Sequence, residues 1–71
     1  MDKHSEIKIT TRDRLMRAWE NAMELTRDFE IYAKEIRDNQ EAASTFAEFA
    51  EDEGMHAAKL RELLQKCEPQ D

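Results

Sequence analysis

Between Thr10 and Lys66 the chain contains a single glycine, Gly54, and no proline. Glycine and proline are the residues that most strongly interrupt helices. A stretch of this length without them, and without the alternating pattern of strands, leaves long helices as the available regular structure. From Leu15 the apolar positions Leu15, Trp19, Ala22, Thr26, Phe29, Ala33 and Ile36 recur at alternating steps of four and three. That spacing draws one stripe down a helix, with Leu25 and Tyr32 widening it on one flank and Met16 and Met23 on the other. The stripe stops around Arg37-Asp38-Asn39-Gln40-Glu41 and resumes with Ala42, Phe46, Phe49, Ala50, Ala57, Leu60 and Leu64. Two stripes joined by a short break predict an antiparallel helical hairpin.

The boundaries follow from capping chemistry. Thr10 is the expected N-cap of the first helix, with Asp13 in the reciprocal position of a capping box and Ile9 placed for a hydrophobic staple. Asp38 with Glu41 three residues on predicts the cap of the second helix. The expected division is a polar arm over residues 1–9, helix 1 over 10–37 and helix 2 over 39–67, all in one domain of 71 residues. The second helix should end near Cys67, because Pro69 cannot continue it. Each helix is about 27 residues, or roughly 40 Å long. Two such helices bury only one seam, whereas Trp19, Phe29, Phe46 and Phe49 need cover on more than one side. The fold class expected is all-α, a hairpin that dimerises into a four-helix bundle or joins a larger homo-oligomer.

Charge narrows the choice of partners. The net charge of -6 disfavours nucleic acid, whose binding rests on Lys and Arg displacing counterions, and disfavours an anionic membrane for the same reason. No apolar run approaches the roughly 20 residues that span a bilayer, and the first residues carry no apolar signal core. Cys67 is the one cysteine, so no intrachain disulfide can brace the fold. A cytoplasmic protein is the expectation. No glycine-rich phosphate loop, paired cysteines or Ser-His-Asp arrangement is visible, so no organic cofactor and no catalytic side chain is assigned.

The chemistry concentrates on the second helix. With position 53 set at zero and about 100° per residue, Phe46, Leu60 and Leu64 fall within about 20° of Glu53, while Glu51 and Asp52 point elsewhere. Glu53 is therefore expected in the middle of the apolar stripe, where a carboxylate needs compensation. His56 is three residues on and can converge with Glu53 on one ion. Carboxylate oxygen with imidazole nitrogen suits iron, manganese or zinc. The competing reading is a carboxylate paired with a cation of a partner protein, in a helical interaction module without chemistry. Met16, Met23 and Met55 are read as packing residues, since thioether sulfur prefers soft ions.

The stretch Phe46-Ala47-Glu48-Phe49-Ala50-Glu51-Asp52-Glu53-Gly54-Met55-His56-Ala57-Ala58-Lys59-Leu60 resembles the metal-bearing helix of the rubrerythrin and ferritin-like half-bundles, which carry Glu-x-x-His-Ala. Asp28-Phe29-Glu30-Ile31-Tyr32-Ala33 resembles their first helix more loosely. A short hairpin completed by dimerisation is similar to the encapsulated ferritins. The resemblance covers residues 15 to 66 and implies a bound ion, with oxidative chemistry of the ferroxidase or peroxide-reducing type. Members that hold two irons supply a further glutamate from the first helix. Here the level of Glu53 falls at positions 22 to 24, occupied by Ala22, Met23 and Glu24. Glu24 is the first-helix carboxylate nearest in height, but it points away from the stripe. A dimer presenting two Glu53 and two His56 could hold one ion, or could be the remnant of a two-ion site.

Overall fold

The computed structural model describes residues 8–67, which form two helices, α1 (Thr11–Glu35) and α2 (Gln40–Lys66), joined by residues 36–39. The described residues are otherwise without regular structure, and the polar arm expected over 1–9 lies outside them up to residue 7. The start of α1 is the capping box its sequence predicts. The Thr10 hydroxyl accepts from the Asp13 amide at 3.0 Å, and the Thr10 amide donates to the Asp13 carboxylate at 3.1 Å. The hydrophobic staple does not form. The fourth residue of α1 is Arg14, which offers Ile9 no apolar partner; its guanidinium donates to the Ile9 carbonyl at 2.8 Å, and the Ile9 side chain stays exposed.

The connection is longer than the sequence suggests, beginning earlier after α1 and ending later before α2. Helix α1 ends at Glu35 because Ile36 turns extended, its amide still bonded to the Tyr32 carbonyl at 3.0 Å. The cap of α2 is Asn39 and not Asp38: the Asn39 side-chain oxygen accepts from the Ala42 amide at 3.0 Å. Asn and Asp cap about equally well, so the choice falls to the residue whose extended backbone closes the turn. Glu41 then sits in the first turn of α2, where the helix dipole favours a negative charge. At the far end Cys67 is extended, and α2 stops at Lys66.

The helices meet along alanines. Ala22, Ala50 and Ala57 are the buried apolar residues among those described, and no large side chain is fully buried. Small residues on the seam let the two backbones come close. The part-buried Thr26 hydroxyl on α1 is satisfied by the Ala22 carbonyl at 2.8 Å. Toward the turn the seam is aromatic: Phe29 lies 5.6 Å from Phe46 and 6.0 Å from Phe49, and Tyr32 meets Phe46 edge-on at 5.4 Å, all between ring centroids. These contacts fix the antiparallel register. Leu25, Tyr32, Phe49 and Leu63 are among the large apolar side chains left exposed, together with Ile9, Met23, Ile31 and Met55.

Candidate metal centre

Glu53 and His56 occupy the middle of α2, one helical turn apart. Helical spacing of three brings their side chains together, with His56 Nδ1 3.5 Å from Glu53 Oε1. Donor atoms bound to one ion at about 2.0–2.2 Å lie roughly 3.0–3.4 Å from each other, so the observed separation is close to that of two neighbouring ligands. The Glu53 side chain is 22% exposed and that of His56 66%. Glu53 is thus off the centre of the seam, which runs through Ala50 and Ala57, and half-buried at its edge. The sequence places it mid-stripe because the residues at 46, 60 and 64 share its angle, yet those residues are themselves only half-buried. In the single hairpin the carboxylate keeps water. Compensation becomes necessary only when a further surface covers it.

The groove into which both side chains open has α1 as its other wall. Ala18, Asn21, Ala22 and Leu25 line it from α1, and Glu53, His56, Lys59 and Leu60 from α2. The level of Glu53 along α1 is therefore close to that counted from the sequence, but the direction selects Asn21 and Leu25. Met23 lies in a different groove, with Trp19, Thr26, Gly54 and Ala57. Glu24 is exposed and is not among the residues lining the groove of Glu53 and His56. Asn21 and Lys59 were not singled out from the sequence, and Leu25 was read as a flank of the apolar stripe and not as part of a site. A signal for Leu25 was present: it stands seven residues from both Ala18 and Tyr32, on one line of the helix. The Lys59 ammonium is 3.6 Å from Glu62, whereas Glu53 has His56 as its ionic neighbour among the described residues.

One chain supplies two donors. Among the described residues no group of three or more His, Cys, Asp or Glu side chains is placed to hold a metal ion. The hairpin alone places one carboxylate and one imidazole on an open, mostly apolar groove.

The sequence model of the rubrerythrin family matches residues 9–71, which takes in both helices and the turn. The chain belongs to the rubrerythrin family. No curated protein and no solved structure matches it. Membership agrees with the all-helical hairpin, and it associates the fold with the ferritin-like class. No helix among the described residues is long and apolar enough to cross a membrane. On α1, Asn21 and Leu25 are the residues that share the groove with Glu53 and His56 beside the smaller Ala18 and Ala22.

Proposed function

We propose that this protein is a ferritin-like metal-binding protein that holds iron between two copies of the chain, with manganese or zinc as the alternative ions. The observation that carries this reading is the half-buried Glu53 carboxylate 3.5 Å from the His56 imidazole on an open groove. Glu53 and His56 are the residues that would hold the ion, two from each chain. Four donors of this kind form a full shell for a tetrahedral ion and leave open positions on a larger one. A bound iron would supply redox chemistry, of which ferrous oxidation and peroxide reduction are the types found with this architecture. The part of the chain in this is to set two donors a turn apart on a stiff helix. The apolar walls, Ala18, Leu25 and Leu60, limit access of water once a second chain covers them.

The second copy is supported by what the single hairpin leaves undone. Among the described residues only alanines are buried, so they form little core, and full burial of a side chain such as Leu or Phe contributes about 1.5–3 kcal/mol. Leu25, Tyr32 and Phe49 are on the same side as Glu53 and offer that area.

A non-catalytic helical module is the second reading, favoured by the absence, among the described residues, of any group of three or more His, Cys, Asp or Glu placed to hold an ion. The two are separated by elemental analysis and solution mass of untagged protein, wild type and Glu53→Ala. The metal reading expects a dimer carrying iron, manganese or zinc, with the metal lost in the variant. A wild-type dimer that is metal-free and takes up none of these ions on addition would overturn it.

A further inference from the structure

We infer that the side of the hairpin opposite Glu53 and His56 pairs with the same side of a second copy, α2 against α2 and antiparallel. On that side two grooves follow one another between the helices. Trp19, Met23, Gly54, Ala58 and Arg61 line the first, and Glu30, Lys34, Ala47 and Glu51 the second. Along α2 this side reads Ala47, Glu51, Gly54, Ala58 and Arg61, at alternating steps of four and three. That is the spacing by which one helix keeps a line of residues against another. The line is separate from the seam with α1, which Ala50 and Ala57 fill.

Charge and register identify the occupant. Glu51 and Arg61 stand five residues before and five after position 56. An antiparallel copy, related by a twofold axis level with that position, sets Glu51 of each chain beside Arg61 of the other and Gly54 beside Ala58. Sliding the copy by one heptad separates the two charges. The hairpin makes no use of either: the ion pairs among the described residues join Glu53 with His56, and Glu62 with Lys59 and Lys66. Gly54 is an independent indication. A glycine inside a helix is less stable there than alanine, and the hairpin supplies no reason for it, since a Cβ at Gly54 would meet nothing within 4 Å. Close approach of a backbone from outside is what the missing Cβ accommodates, and Ala58 opposite it keeps the approach open.

This side exposes one large apolar side chain in its grooves, Met23, against Leu25, Tyr32 and Phe49 on the side of Glu53. Its association is therefore the weaker of the two, and it joins pairs already formed through the other side into four chains. The count of four rests on the pairing proposed above; the contact between α2 helices does not.

The test is sedimentation equilibrium from dilute protein up to about 1 mM. Wild type is expected to pass from two chains to four. Glu51→Arg and Arg61→Glu, each turning two attractive contacts into two repulsive ones, are each expected to weaken this step at least about tenfold. The double variant exchanges the signs and is expected to recover it. Gly54→Leu is expected to abolish the step with helix content unchanged. A wild type that gains no mass at the highest concentration would overturn the inference, as would a double variant that associates no better than the single ones. If the pairing through the side of Glu53 is absent, the same charge-dependent step runs from one chain to two, so the two failures are distinct.

Discussion

His56 Nδ1 lies 3.5 Å from the Glu53 carboxylate, yet the histidine is three times as exposed as its partner, 66% against 22%. The pair is graded in depth. Glu53 stands half-buried at the edge of the seam, and His56 reaches out into the groove. Substituting the two should have different consequences.

His56→Gln is expected to leave the fold intact and weaken metal binding. An exposed helical position away from caps and core changes stability by no more than about 0.5 kcal/mol. Loss of one imidazole should cost at least about tenfold to a hundredfold in affinity, the range seen even when a group merely supporting a ligand is removed. Competitive titration with a chelator, alongside circular dichroism, measures both. Unaltered affinity would remove His56 from the ligand set.

Glu53→Leu separates binding from packing. In metal-free protein the substitution replaces a half-buried carboxylate on an apolar face with a side chain that suits it, and such exchanges are often neutral or stabilising. A rise in the unfolding midpoint of about 4–8 °C, corresponding to roughly 1 kcal/mol for a chain of this size, is expected without metal. With metal at a hundredfold excess over its dissociation constant, wild type gains about 2.7 kcal/mol by linkage, and Glu53→Leu gains nothing. Thermal scans of both proteins with and without Fe2+ test the reversal of rank. If the two respond identically to the ion, Glu53 does not bind it.

The caps give a cleaner test of the fold. Asn39 makes the bond to the Ala42 amide, and Asp38, the residue its sequence context favours, does not cap α2. Asn39→Ala should therefore destabilise by about 1 kcal/mol and Asp38→Ala by less than about 0.5 kcal/mol. Chemical denaturation midpoints compare them directly. Equal losses would place the start of α2 one residue earlier.

The comparison of Asp38 with Asn39 shows where local pattern stops informing. The existence of both helices and the N-cap at Thr10 followed from spacing and side-chain chemistry, which act within one turn. The turn was misplaced because Asp38 and Asn39 are chemically near-equivalent caps, and the choice depends on how α1 and α2 must approach each other along Ala22, Ala50 and Ala57. The site divides in the same way. The proximity of Glu53 and His56 was legible, since both stand on one helix at a spacing of three. Asn21 and Leu25 were not, because which first-helix residues face them is set by the rotation of α1 against α2. A count of residues back from the turn supplies height and says nothing of rotation.

That rotation also decides which surface is free to associate. Phe49 is 47% exposed; it packs on Phe29 and lies one turn before Glu53 on the groove side of α2. Met55 is more exposed, at 70%, but does not line the groove of Glu53 and His56. If the groove face meets a second copy, Phe49→Asp places a charge in that interface and should shift the protein to monomer, whereas Met55→Asp should leave the mass unchanged. Burying an unpaired carboxylate costs several kcal/mol, enough to lower association by more than about a hundredfold. Sedimentation equilibrium over a range of concentrations reads the outcome. A dimer that survives Phe49→Asp and dissociates with Met55→Asp would move the interface to another face of the hairpin, and with it any ion shared between Glu53 and His56 of two chains.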